Sequence, residues 1–290
     1  MQHRQIQIHT SAGMTLCADE WLPQDAAANL PVVLAHGGGQ TRHSWGGTAR
    51  QLAASGHRVL SLDLRGHGDS AWAADGDYRL QRFAEDARAA MAHCDGPVIW
   101  VGASLGGMSG MLAAGQWPEL FHALVLVDIT PNPAPDGVAR ILEFMGQQLE
   151  EGFGSLQEAA DAIASYQPHR PRPRDLSGLE KNLRRGEDGR WRWHWDPRFL
   201  TGRASVNRRA GEESSVADAA AQLQLPMLLI RGRQSDLVTE REARAFLELV
   251  PHAEYVDVAD AAHMVAGDRN DIFTAAVVDF IARQDGAAAR

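Results

Sequence analysis

Ser104 is the residue in this sequence best suited to nucleophilic chemistry. It is the centre of the pentapeptide 102–106, which has the pattern G-x-S-x-G, and it follows an apolar run at 97–101 and precedes a stretch of helical character. A strand, a tight turn of small residues and a helix form the context in which this motif strains the serine backbone and exposes Oγ. The motif alone is a weak signal, and the alternative is a glycine-rich turn with an idle serine. In this context we predict a nucleophile.

A serine hydroxyl needs a base to take its proton and a carboxylate to orient that base. His263 lies between the last predicted strand and the last predicted helix, and we predict that it is the general base. Asp236 follows the preceding predicted strand, and we favour it as the orienting acid. Asp128 is the rival because it also ends a predicted strand. For Asp128 we favour a structural role, capping the proline-rich turn that follows.

The same chemistry needs donors for the developing oxyanion. The backbone N–H of Leu105, directly after the serine, is the first predicted donor, and Gly38 in the loop 36–39 is the second. Gly39 is the second choice for that position. His36 and His67 also follow predicted strands, and we predict that they organise loops through hydrogen bonds.

Composition narrows the classes of protein. The chain has 290 residues, enough for one large α/β domain with or without an insertion, and its formal net charge of −9 argues against nucleic-acid binding. Cys17 and Cys94 have no metal-ligand spacing and are predicted to be reduced thiols. No stretch approaches the ~18 apolar residues of a membrane span, and the start lacks the apolar segment of a signal peptide. We therefore expect a cytoplasmic protein without a membrane partner.

The apolar runs alternate with helical patterns, which predicts a mostly parallel sheet with helices between its strands. An opening hairpin at 4–18 comes first. The predicted strands lie at 30–35, 58–63, 97–101, 124–128, 225–230 and 253–258, and the main helices at 45–55, 80–93, 240–250 and 268–283. We assign residues 1–130 and 217–290 to this α/β core.

The segment 131–216 begins with three prolines in five residues and contains no buried strand pattern. Helical candidates at 138–149 and 155–166 predict that it is an inserted helical cap. Arginines in the cap, namely Arg170, Arg172, Arg174, Arg184 and Arg185, could meet a carboxylate of the substrate, but we favour a solvated basic face.

Three tryptophans alternate with polar residues in the cap, at Trp191, Trp193 and Trp195. If the segment is extended, all three rings lie on one side. One hypothesis is that they line an apolar or aromatic substrate pocket. The other, which we weigh equally, is that they pack a small core of the cap itself.

The motifs at 36–39 (HGGG), 63–70 (DLRGHGDS) and 102–107, taken together with Asp236 and His263, resemble the α/β-hydrolase superfamily. The resemblance implies an α/β-hydrolase fold, with a mostly parallel eight-stranded sheet and a helical lid inserted after the sixth strand. The members that look most similar are capped esterases, enol-lactonases, carbon–carbon bond hydrolases and cofactor-free haloperoxidases. A serine at the elbow sets aside epoxide hydrolases and haloalkane dehalogenases, which carry aspartate there. Met264, where many carbon–carbon hydrolases have tryptophan, weakens that option.

The sequence therefore predicts a serine hydrolase that cleaves a small carboxylic ester, thioester or lactone through an acyl-enzyme. It predicts a small-molecule substrate with an apolar or aromatic portion, and chemistry that needs no metal or organic cofactor. Two alternatives remain open at this point, hydrolytic cleavage of a carbon–carbon bond in a diketone-like substrate and a non-catalytic ligand receptor on the same fold.

Overall fold

The structure is a computed structural model that describes residues 1–25, 29–166, 176–206, 212–259, 261–264 and 270–288. Its strands are β1 (Gln2–His9), β2 (Thr15–Leu22), β3 (Val32–Ala35), β4 (Val59–Leu62), β5 (Val98–Ala103), β6 (Phe121–Val127), β7 (Leu183–Arg185), β8 (Trp191–Trp193), β9 (Met227–Gly232) and β10 (Glu254–Val258). Its helices are α1 (Gly46–Ala54), α2 (Leu80–Met91), α3 (Leu105–Gln116), α4 (Pro135–Gly146), α5 (Leu156–Tyr166), α6 (Arg198–Thr201), α7 (Glu212–Gln222), α8 (Glu240–Leu249) and α9 (Thr274–Ala288).

Eight of the strands form one sheet in the order β1-β2-β4-β3-β5-β6-β9-β10. β2 pairs antiparallel with β1 and with β4, and the remaining neighbours are parallel. The predicted fold class, a mostly parallel eight-stranded sheet that opens with a hairpin, is confirmed.

The central strands are apolar along their whole length because helices cover both faces of the sheet. Every residue of β3, β4 and β5 is buried. Alternate side chains pack on opposite faces, one against α2, α3 and α8 and the other against α1 and α9. The carboxyl ends of the parallel strands therefore meet at one edge, where loops can collect functional groups.

The inserted segment follows the sixth strand, as the resemblance implied, but it is not purely helical. β7 and β8 form an antiparallel hairpin within it, with Leu183 opposite Trp193. Two of the three β7 residues are exposed, so the strand has no apolar run that would have marked it in the sequence. The cap that we predicted to be helical therefore also contains a short hairpin.

The predicted return to the core at residue 217 falls inside α7. This helix packs against α3 of the core, and Ala219 lies so close to Gly115 that a side chain at Gly115 would collide with it. We therefore place the return of the chain to the core at the start of α7.

Both cysteines are buried and free. Among the described helices, none is long and apolar enough to cross a lipid bilayer.

Candidate active site

A single residue separates β5 from α3, and that residue is Ser104. Its backbone has φ 44° and ψ −112°, a conformation that L-residues seldom adopt. The turn is possible because its flanking positions lack side chains. A Cβ on Gly102 would collide with the backbone of Gly106, and a Cβ on Gly106 would lie 2.5 Å from the carbonyl oxygen of Ala35 in β3. This is the sharp strand-to-helix turn that the pentapeptide predicts.

His263 lies beyond β10, and its imidazole contacts a carboxylate. Its Nδ1 is 2.7 Å from Oδ2 of Asp128, the residue that follows β6, and both side chains are buried. An ionised carboxylate only accepts hydrogen bonds, so Nδ1 is the donor. The lone pair of the ring is then on Nε2, the tautomer that a general base requires.

The predicted pairing of His263 with Asp236 is therefore wrong. Asp236 has an exposed fraction of 32% and forms an ion pair with Arg140 of α4, with 2.6 Å between Oδ2 and Nη1. The turn after β9 directs Ser235 toward Asp128, and the next residue, Asp236, toward the cap. We favoured a capping role for Asp128 in the turn that follows, and this prediction is also wrong. Its carboxylate accepts hydrogen bonds from His263, Ser235 and Gly232 instead.

Two of the three glycine amides in the loop after β3 already have hydrogen-bond partners. The N–H of Gly37 donates to Oε1 of Gln40 at 3.0 Å, and the N–H of Gly39 donates to Nε2 of His67 at 3.1 Å. The backbone N–H groups on both sides of Gly38 are thus already hydrogen-bonded. Gly38 itself lines the cavity that contains Ser104 and His263. The N–H of Gly39, our second choice of oxyanion donor, is already hydrogen-bonded to His67.

Leu105 also lines the cavity, as the first residue of α3. The first amides of a helix have no partner within the helix, and the helix dipole places partial positive charge there. The predicted donors Gly38 and Leu105 therefore line one cavity with the predicted nucleophile and base.

His36 and His67 organise the two loops, as predicted. In each ring Nδ1 faces a backbone carbonyl and Nε2 accepts from a backbone N–H, which defines a neutral ring. Burial lowers the pKa of His36 to about 4 and that of His67 to about 3. Both rings are therefore uncharged scaffolding at neutral pH.

The cavity has a volume of about 670 Å³ and a mainly apolar wall. Helix α4 contributes much of one side, and the polar groups outside the proposed machinery are Asn132, Arg241 and Glu242. Its apolar lining includes Ile129, Pro133, Val138, Ile141, Leu142, Met145, Phe199, Val206, Leu237 and Met264. Such a cavity suits a small molecule with an apolar portion.

The three cap tryptophans are not part of that lining. Trp193 and Trp195 are buried and stacked with their ring centroids 4.9 Å apart, and Trp193 also packs edge-on against Phe144 and Phe153. Trp191 is half-buried and pairs with Phe153 through the backbone. The hypothesis that Trp191, Trp193 and Trp195 line the substrate pocket is therefore wrong for this cavity. Trp193 packs inside the cap, and Trp195 also lies against His67 of the core, with 6.3 Å between the ring centroids.

Of the cap arginines, Arg170, Arg172 and Arg174 lie outside the described residues. Arg184 donates from Nη2 to the carbonyl oxygen of Gly68 at 2.6 Å, and Arg185 is exposed. Neither of these two lines the cavity, in agreement with the solvated face we favoured.

Ser235 is a buried residue that the sequence analysis missed. Its hydroxyl lies 2.7 Å from the carboxylate of Asp128. A serine in a polar loop carries no sequence signal of such a contact, since the partner comes from a strand 107 residues away in the chain.

The comparisons with known proteins agree with this fold. Residues 31–269 match the family described as the alpha/beta hydrolase fold, so the chain belongs to that family. It is 30% identical over 244 residues to an esterase of Mycobacterium tuberculosis, covering 82% of this chain and 78% of the relative. It is 31% identical over 274 residues to a 3-hydroxybutyrate-oligomer hydrolase of Cupriavidus necator, covering 89% of this chain and 90% of the relative.

A solved structure of an alpha/beta hydrolase from Novosphingobium aromaticivorans superposes with a TM-score of 0.81 at 25% identity, covering 97% of this chain and 98% of that one. The relatives named above are hydrolases, in agreement with an enzyme of this class.

Proposed function

We propose that the protein is a serine hydrolase that cleaves a small carboxylic ester, thioester or lactone through an acyl-enzyme on Ser104. The observation that carries this proposal is the convergence of four residues on one cavity. The cavity is lined by Ser104, His263, Gly38 and Leu105. The imidazole of His263 also contacts the buried carboxylate of Asp128.

In the proposed reaction Ser104 Oγ attacks the carbonyl carbon while His263 Nε2 accepts the hydroxyl proton. Asp128 holds the imidazole in the required tautomer and stabilises the imidazolium that forms. The N–H groups of Gly38 and Leu105 donate to the oxyanion. His263 then returns the proton to the leaving group, and water attacks the acyl-enzyme with the same histidine as base.

The substrate class follows from the cavity wall and from the relatives. An apolar lining of this extent favours an acyl or alcohol group with substantial apolar or aromatic surface. The two relatives reported above are named as an esterase and as a hydrolase of 3-hydroxybutyrate oligomers, which supports an ester as the bond that is cleaved.

The test is the intact-protein mass after exposure to an organophosphonate serine probe, together with turnover of p-nitrophenyl acyl esters of increasing chain length. The variant is Ser104→Ala. The matched control is Ser165→Ala, which removes an exposed hydroxyl that bonds within α5. We expect a single adduct and ester turnover in the wild type and in S165A, and neither in S104A.

An adduct that persists in S104A would overturn the proposal. Turnover of a diketone without ester turnover would favour carbon–carbon hydrolysis. Absence of both adduct and turnover in the wild type would favour the receptor alternative.

A further inference from the structure

We infer that Ser235 is a positioning residue that acts through Asp128 on His263, an inference that rests on the proposed function. Its Oγ is 2.7 Å from Oδ2 of Asp128, and this is the same oxygen that His263 Nδ1 contacts at 2.7 Å. One carboxylate oxygen is therefore shared by the general base and by this hydroxyl.

The direction of the hydroxyl proton follows from the other contacts of Ser235. The N–H of Leu237 donates to Oγ at 3.1 Å and the N–H of Val238 at 3.2 Å. A serine hydroxyl has one proton to donate and two lone pairs. Since two backbone amides occupy the lone pairs, the proton points to the carboxylate of Asp128.

The carboxylate is held from its other side as well. The N–H of Gly232 donates to Oδ1 of Asp128 at 3.1 Å. With Gly232 on one oxygen and Ser235 on the other, the plane of the carboxylate is set before the imidazole makes its contact. Hydrogen bonds to a charged group are among the stronger ones in proteins, so this orientation is resistant to thermal motion.

Ser235 itself is not among the residues that line the cavity. The hydroxyl therefore makes no contact of its own in the cavity, and we expect its loss to act mainly through the orientation of the imidazole. An effect confined to kcat, with KM preserved, distinguishes this role from a general loosening of the site.

The experiment measures kcat, KM and the melting temperature of Ser235→Ala, Ser235→Cys and Ser235→Thr with a p-nitrophenyl ester. Cysteine keeps the shape of the side chain with a slightly larger atom that is a weak donor, and threonine preserves the hydroxyl. We expect kcat to fall roughly 10-fold in S235A and S235C, with KM within about threefold of wild type and recovery of kcat in S235T. The matched control is Ser61→Ala, a buried serine whose Oγ donates to the carbonyl oxygen of Arg42 at 2.7 Å, and it should keep the kcat of the wild type.

A double-mutant cycle tests the route of the effect. In an Asp128→Ala background the hydroxyl has no carboxylate to orient, so adding S235A should change the residual kcat by about twofold or less. A wild-type kcat in S235A and S235C, or an undiminished effect in the Asp128→Ala background, would overturn the inference alone, provided that the wild type turns over the ester and S104A does not. A wild type without turnover would overturn the proposed function together with it.

Discussion

His263 Nδ1 lies 2.7 Å from Oδ2 of Asp128, although 135 residues separate them in the chain. The two residues follow β10 and β6, and β9 lies between these strands in the sheet. The contact crosses the carboxyl end of β9, where the backbone N–H of Gly232 also donates to Asp128. The imidazole is thus oriented by a carboxylate from two strands away in the sheet and not by its own loop alone.

The choice between two carboxylates is tested by a matched pair of substitutions. Asp128→Asn should lower kcat by roughly 10³-fold or more, because the amide no longer holds the imidazole in the tautomer that a base requires. Asp236→Asn removes only a partly exposed ion pair with Arg140, and kcat should stay within about threefold of wild type. Steady-state kinetics on one p-nitrophenyl ester decides the matter, and the opposite ranking would restore Asp236 as the orienting acid.

The wall that α4 contributes should select the length of the apolar group. Ile141→Phe narrows the cavity, so kcat/KM should fall more for long acyl esters than for short ones. The control is Glu143→Ala, an exposed residue of the same helix that does not line this cavity. The measurement is the ratio of kcat/KM for octanoyl and acetyl esters. An unchanged ratio in I141F would place the apolar group elsewhere.

Trp193→Ala should act on stability and not on selectivity. Trp193 is packed against Trp195, Phe144 and Phe153 within the cap, and its loss leaves a large void. Buried tryptophan truncations cost about 3–5 kcal/mol of unfolding free energy, so a clear fall in the melting temperature is expected. The relative kcat/KM across ester chain lengths should remain that of the wild type. A selective loss of the longer esters at an unchanged melting temperature would contradict this.

Stability should fall as the pH drops below about 6.5, the pKa of histidine in an unfolded chain. Burial lowers the pKa of His36 to about 4 and that of His67 to about 3. Between these values and the unfolded pKa, the unfolded chain binds protons that the folded chain does not bind. The stability these neutral rings contribute is complete above the unfolded pKa and is lost as the pH falls toward the folded values. At pH 5 the loss is on the order of 2 kcal/mol for each ring.

The measurement is urea unfolding at pH 7.5 and at pH 5. His67→Gln should reduce the loss between these two pH values, because glutamine does not titrate. His93→Gln, which replaces an exposed histidine, should leave the loss unchanged. Equal losses in both variants would show that His67 is not a source of the pH dependence.

Much of the fold was predictable because its signals are local. The apolar runs at 97–101 and 225–230 correspond to β5 and β9, and the run at 30–35 to β3. Buried parallel strands are continuously apolar. The glycines at 102 and 106 are required because backbone atoms approach them closely. Both features can therefore be recognised from short stretches of sequence. Ser104, His263 and Gly38 were predicted for the same reason, and the structure brings all three to one cavity.

The carboxylate that contacts His263 depends on contacts that no local pattern encodes. Asp128 and Asp236 follow neighbouring strands, and the order serine, aspartate, histidine is satisfied by both. The turn after β9 decides between them, because it carries Asp236 out to Arg140 and leaves Asp128 buried beside His263.

The sequence by itself determined the sheet, the strained serine between strand and helix, and the loops that carry the proposed base and the proposed oxyanion donors, since each depends on residues close together in the chain. Tertiary structure alone decided which carboxylate meets the imidazole, that Ser235 reaches the same oxygen, and that Trp193 and Trp195 turn inward within the cap. The physical reason is that a side chain's partner is set by the packing of distant elements, and a shift of one or two residues in a turn is enough to exchange one partner for another.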